Sequence, residues 1–544
     1  MVPSRPAHLS PDHFPYVNTS LTEHYTNTCD SPHQVNPNTR IIPKMPFLPF
    51  SNVLNLRKEL EGTAAEIVTW GCDDYGDSIK QWSETCDTYI GARVRVSSTD
   101  EAAAVVRFAT SYKIPLAVKG GGFSTTGAST THGGIVLDLF RLRRVEVDSD
   151  SRVVTAQGGA LWADIDVAAA QYGLAVVGST LNHIGAAGAT LGGGYGWLTG
   201  QHGLAIDNLL WVKIILADGS VVTASEQEYP DLFWAVRGAG QSFGVAIELG
   251  FRAHERDHNP VFAGSLLFSA DKLPRIVEFA NRFEAITDGK QGFWFGFTML
   301  SSTDKCAILV VVFYDGTQKA AEEFFSPVLS LESVANSTQV LPYDALNGIL
   351  NTVDTLTRSK NSSGVNVTYP VDQSVGPRKS LRGSNITLPL DFDFVRSIYN
   401  EFNGILTDCP QASDSRLLFE ILPNIQITKV PNNATAFASR GPYYNVTTLF
   451  KWNETGLDSR MSSLQRNLMD NIGTHAGIIR MPGYNISKHG TGLYANYAGH
   501  DVPVKAIFGD NLPRLQELKK KYDPDNVFRK WHNIKAPIDF QEGT

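Results

Sequence analysis

The chain has 544 residues, which at roughly 150 residues per domain allows two to four domains and excludes a peptide-scale or disulfide-stapled scaffold. Hydrophobic residues make up 42% and charged residues 19%, below the roughly 25% charged that is usual in soluble proteins, so much of the chain must be interior or line a pocket. A formal charge of −8 offers no basic footprint for a phosphate backbone, and no nucleic-acid partner is expected.

Residues 1–45 are polar and without periodicity and read as an extended arm. No window approaches the ~18 apolar residues of a membrane span, so no membrane partner is expected. The first residues lack an apolar signal-type run, and the expected location is cytoplasmic. Nine N-x-S/T sequons, eight of them between Asn336 and Asn485, make the secretory pathway the alternative. Five scattered cysteines fit neither a disulfide framework nor a zinc site. Cys72 and Cys86 read as free buried thiols, with a bond between them as the alternative.

Between about Thr69 and Ala253 short β-type runs alternate with glycine loops. Ser98 and Thr99 open a helix over 100–109 whose acidic first turn suits the helix dipole. A strand over 114–118 runs into Gly120, Gly121 and Gly122, and further strands are expected over 134–139, 145–148 and 152–156. Asp218 and Gly219 join two strands as a hairpin. From about Gly264 to Leu493 long apolar strands and amphipathic helices take over. Strands over 292–300 and 306–314, a helix containing 320–325 and a strand over 416–422 carrying Glu420 indicate a sheet covered by helices. The tail holds a helix with Leu512, Leu515, Leu518 and Tyr522 on one face. The fold class is α+β.

Three glycine clusters, 119–127, 185–196 and 237–244, lie within one domain. Loops without side chains let backbone N–H groups approach a phosphate, so together they point to a pyrophosphate-bearing cofactor. None fits the dinucleotide fingerprint or a P-loop. Gly240, Ser242 and Gly244 match G-x-S-x-G, but a helix precedes and a strand follows, the inverse of a nucleophile elbow. No H-E-x-x-H occurs, and no metal site is expected.

The runs VKGGGFS (118–124), GGGYGW (192–197), DNLL (207–210), ADG (217–219), PDLFWAVRGAG (230–240), YANY (494–497) and KYDPDNVF (521–528) together resemble the berberine-bridge-enzyme-like FAD-linked oxidoreductases of the vanillyl-alcohol oxidase superfamily, fungal members above all. The resemblance implies a PCMH-type FAD-binding domain over 46–263, a substrate domain over 264–495 and a return of the chain from 496 to 544. It implies FAD held by backbone from Lys119, Gly120, Gly121, Gly122, Phe123 and Ser124. It places Gly188, Gly192, Gly193 and Gly196 along the ribityl chain and ring, Gly244 and Val245 by the adenine, and Tyr494 and Asn496 near the ring. Glu420 falls near the family's candidate base, with pairing to Arg440 or another cation as the alternative. Arg440 matches a substrate-domain arginine, or is an ordinary surface charge.

Two positions depart from the family. Phe123 stands where a histidine bonds the flavin 8α carbon, and Leu181 where bicovalent members have a cysteine, so the flavin is expected to be non-covalent. Ile184 occupies a position linked in plant relatives to poor oxygen access. The implied activity is hydride transfer from a small hydrophobic or phenolic specialised metabolite to flavin N5, with dioxygen as a candidate acceptor. The alternatives are a non-redox cyclase or isomerase that keeps FAD as structure, and a silent binding protein.

Overall fold

The computed structural model describes residues 48–256, 260–300, 305–349 and 376–535; the expected arm at 1–45 lies outside them. Three sheets organise the described residues. In the first, the strands run in the order Glu66–Thr69, Ala92–Arg95, Ile135–Asp138, Leu116–Lys119, the last three mutually parallel. The helix Thr99–Ser111 connects the second strand to Leu116–Lys119, capped by the Ser98 side chain, which accepts the Glu101 amide.

The second sheet runs Val145–Asp148, Val153–Gln157, Val245–Glu255, Leu209–Ile215, Val221–Ser225, with Leu174–Val176 also pairing the long central strand. Its hairpin turns at Asp218 and Gly219, where a φ of +81° suits glycine. Ile215, Val245 and Ile247 of this sheet pack with Val94, Leu116 and Leu137 of the first. From the tail, Leu512, Leu515 and Leu518 on one face of the helix Leu512–Tyr522 join Val154, Phe233 and Phe251. Lys519 of that helix is buried and donates to the Asp523 carboxylate and to the carbonyls of Ser242 and Phe528, which clamps the tail onto the glycine turn before Val245.

The third sheet is antiparallel, in the order Ala335–Asn336, Val261–Phe268, Lys305–Tyr314, Gln291–Leu300, Arg416–Ile421, Tyr444–Trp452, Arg378–Ile386. Strand period divides its residues between two faces. Phe293, Phe295, Phe297, Leu417, Phe419 and Ile421 turn to the helices Leu273–Ile286, Phe392–Asp408 and Asp458–Ala476. The opposite face turns toward the glycine loops, with Trp197, just after the second glycine cluster, stacked on Trp294 at 5.0 Å between centroids. A boundary between residues 263 and 264 would cut the continuous strand Val261–Phe268; the change of sheet falls between Glu255 and Val261.

Two other expectations meet a different outcome. Cys72 is disulfide-bonded while Cys86 is a free, buried thiol, so they are neither a pair nor two free thiols. Of the sequon asparagines, Asn385 and Asn445 sit opposite each other in the third sheet and are buried, where no glycan fits.

Candidate functional site

Alternation along Arg416–Ile421 sends Leu417, Phe419 and Ile421 into the helix-covered core and points Arg416, Leu418 and Glu420 the other way. Those side chains line a cavity of about 370 Å³ between the third sheet and the glycine loops. Gly120, Gly121, Gly122, Phe123 and Ser124 form part of its wall, as do Leu181, Ile184, Gly188, Gly244, Tyr494 and Asn496. The first and second glycine loops touch backbone to backbone. A Cβ on Gly121 would lie 2.7 Å from the Gly185 nitrogen, and one on Gly185 would lie 2.7 Å from the Gly121 nitrogen. Gly188, by contrast, has no neighbouring atom within 4 Å of its missing Cβ, so its backbone faces open space. A cradle of bare backbone opening on a cavity fits a group carrying a pyrophosphate and a flat ring system.

Glu420 is 5% exposed, and its carboxylate accepts from the Tyr497 hydroxyl at 3.1 and 3.3 Å. Burial pushes its pKa up to about 8, against a smaller lowering by the Tyr497 bond. The alternative pairing of Glu420 with Arg440 does not occur. Arg440 is buried, not a surface charge, and its guanidinium donates to both oxygens of Asp207 at 2.8 Å each. It sits behind the cavity wall, over the Phe437 ring. Tyr494 accepts from the Gly194 amide at 3.2 Å and from the Asn496 side chain at 2.8 Å, and burial raises its pKa to about 12.

Five predicted cofactor residues stand outside the main cavity wall. Lys119 runs beneath its own loop into a second cavity of about 160 Å³ beside Arg93, Asp138 and Arg143, and burial lowers its pKa to about 8. Gly192 makes room for the Asn496 carboxamide, Gly193 for Phe437, and Gly196 for the Gly178 carbonyl. Val245 is buried between the first two sheets. These glycines let the loop pack, and Gly194 with Tyr195 reaches the cavity in their place.

Sequence reasoning did not single out Tyr497 or the wall cations Lys379, Arg416, Lys451 and Lys530. Tyr497 was within reach as part of YANY, three residues past Tyr494. His183 packs on Phe123 with centroids 5.0 Å apart, and Trp82 takes the other edge at 5.7 Å.

Two family models match the chain, an FAD binding domain over residues 90–225 and a berberine and berberine-like segment over residues 493–535. The chain is 30% identical over 497 residues to the FAD-linked oxidoreductase pgmH of Aspergillus terreus, covering 89% of this chain and 96% of that protein. Its fold is similar to Physcomitrella patens BBE-like 1, with a TM-score of 0.74 at 20% identity, covering 89% of this chain and 99% of that one. It is also similar to glucooligosaccharide oxidase of Acremonium strictum, with a TM-score of 0.71 at 20% identity and coverage of 89% and 99%. An α+β fold that joins an FAD-binding domain to an antiparallel sheet covered by helices defines a flavin-dependent oxidoreductase. The chain belongs to the berberine-bridge-like FAD-linked oxidoreductases, in their fungal branch. Among the described residues no helix is long and apolar enough to cross a membrane.

Proposed function

We propose that the protein oxidises a small hydrophobic or phenolic metabolite of specialised metabolism in the cavity between the glycine loops and the third sheet, with Glu420 as the base. When bound, FAD supplies the two-electron oxidant, taking a hydride from a substrate carbon at N5. The backbone of residues 120–124 together with Gly188 and Gly244 would hold the cofactor, and Asn496 and Tyr494 would lie by its ring. Glu420 takes the proton that leaves with oxidation. Its burial keeps it neutral at rest and makes its conjugate base strong. Tyr497 holds the carboxylate toward the cavity by sharing its proton between both oxygens.

The observation that carries this reading is a buried carboxylate with a pKa near 8 in the wall of a cavity rimmed by bare backbone. Arg440 orders the loop over 432–440 against Asp207 and acts as a positioning residue. The acceptor that returns the flavin to its oxidised form is proposed to be dioxygen, reacting slowly because Ile184 stands in the cavity wall. Stopped-flow reoxidation as fast as in a typical oxidase would contradict the slow step. The central test is anaerobic: substrate must bleach the yellow flavin of the purified protein. Product formed without bleaching would refute the redox reading.

A further inference from the structure

The first glycine loop separates two cavities. Gly120, Gly121, Gly122 and Phe123 line both the main cavity and the second cavity of about 160 Å³, so the partition between them is one layer of backbone. The amides of Gly121, Gly122 and Phe123 donate to no backbone carbonyl among the described residues. Lys119 borders the second cavity alone. Its chain lies flat under Gly122, where a Cβ would meet Lys119 Cε at 2.7 Å and a φ of +77° suits glycine. Its ammonium differs from the other charges around it. Lys119 stands in register with Asp138 across the first sheet, yet the Asp138 carboxylate accepts from Arg93 and from the Phe140 amide. Arg143 is held by Asp164, Arg95 by Glu66 and Asp74, and Lys80 by Asp77. Lys119 donates to the Lys80 carbonyl at 3.4 Å and forms no ion pair among the described residues. Burial is the main reason that its pKa falls to about 8; Arg93 and Arg95 lower it further, against Asp138 and Asp87.

We propose that the Lys119 side chain supports the cofactor from behind the loop: its ammonium faces the pyrophosphate through the backbone of residues 120–122, and FAD binding draws a proton from solvent onto its Nζ. This role rests on the cofactor placement proposed above. A half-buried cation without a carboxylate gains most from an anion brought to the other side of a thin, bare partition, because little water screens the pair. Glycine at 120, 121 and 122 keeps that partition thin. Only an Nζ–H bond forms, and the proton comes from bulk solvent. Where the empty protein has lost this proton and the loaded protein holds it, affinity for FAD must fall as pH rises. Below about pH 8 both states are protonated and affinity should be flat; above it the fall approaches about tenfold per pH unit.

Calorimetric titration of FAD into the flavin-stripped protein at about pH 9, in two buffers of different ionisation enthalpy, counts the protons taken up. Wild type should take up about half a proton or more beyond Lys119→Arg, whose guanidinium stays charged in both states and leaves every other titrating group in place. That variant should bind FAD within about threefold of wild type at pH 7 and lose the decline above about pH 8. Lys119→Met keeps a chain under Gly122 and removes the charge. Its dissociation constant for FAD at pH 7 should rise about tenfold or more, while that for riboflavin, which has no phosphate, stays within about twofold. If arginine proves too bulky to fold beneath Gly122, wild type against Lys119→Met still reads the uptake. Equal proton uptake in wild type and the folded variants, or a Lys119→Met that loses FAD and riboflavin alike, would overturn the role of Lys119. Wild type that binds FAD no more tightly than riboflavin would instead remove the pyrophosphate from this loop and refute the cofactor placement itself.

Discussion

Tyr497 and Glu420 meet across the junction of the two halves of the protein, the phenol from the returning tail and the carboxylate from the strand Arg416–Ile421, with one hydroxyl facing both carboxylate oxygens at 3.1 and 3.3 Å. Burial raises the pKa of both groups. The pair ties the protonation of the candidate base to the correct docking of the tail.

Activity is expected to rise with pH and level off above about 8, because Glu420 must lose its proton to act and burial holds its pKa near that value. Glu420→Gln should keep the yellow colour and lose about 100-fold or more in kcat, the usual range for removal of a general base. Full turnover in that variant would remove Glu420 from the mechanism.

Tyr497→Phe deletes the hydrogen bond that lowers the Glu420 pKa. The rising limb of the pH profile should move to higher pH, with kcat at the plateau changed less than kcat at neutral pH. A profile that falls in height without moving along the pH axis would mean that the phenol serves only packing.

FAD should be released by acid precipitation, leaving the pellet colourless and the supernatant yellow, because Phe123 and Leu181 offer no nucleophile. Retention then rests on backbone hydrogen bonds of about 0.5–1.5 kcal/mol each, stronger where they meet the charged pyrophosphate. Phe123→His should restore a covalent link, seen as a mass increase by one FAD. His183 is the histidine packed against this position; flavin found attached to it would refute the expectation.

Gly121→Ala and Gly188→Ala should fail differently. The first drives a Cβ into the Gly185 backbone at 2.7 Å and should lower the melting temperature even without cofactor. The second meets no atom of the protein within 4 Å, so the apoprotein should melt normally while FAD binds more weakly. Equal melting of both apo variants would show that the two glycine loops do not rely on their close approach.

Asp166 gives a pH effect away from catalysis. Its carboxylate is buried and accepts from Asn347 at 2.6 Å, and desolvation raises its pKa from 3.8 to about 8. The folded state thus holds a proton that the unfolded chain releases. The stabilisation is complete below about pH 4 and is lost as pH rises to about 8. Asp166→Asn keeps the hydrogen bond and cannot ionise, so its melting temperature should decline less than wild type between about pH 5 and pH 9.

Much of this architecture was legible because it is local. The Ser98 cap, the Asp218 turn and the alternation around Glu420 each depend on residues a few positions apart, where propensity and period act directly. What stayed hidden was long-range. Nothing near Glu420 announces Tyr497, 77 positions away, and Asp207 stands 233 positions from the Arg440 it neutralises. The glycines at 192, 193 and 196 show a second limit. A missing side chain marks a close approach without saying whether a ligand or another part of the protein arrives, and here Asn496, Phe437 and Gly178 arrive. The boundary near 263 was misplaced because Val261–Phe268 is buried along its whole length and shows no alternation to locate its start.

The packing of Leu512, Leu515 and Leu518 beside Val154 and Phe251 sets an order of events during synthesis. The flavin-binding half holds strands that precede those of the third sheet along the chain, yet its interior lacks a wall until the tail has emerged. The strands of the third sheet, from Val261 to Trp452, have then already been translated. The nascent chain therefore waits with an open seam, and cofactor capture becomes a late, post-translational step. Truncation anywhere before the clamp at Lys519 would leave an aggregation-prone half rather than a smaller working enzyme.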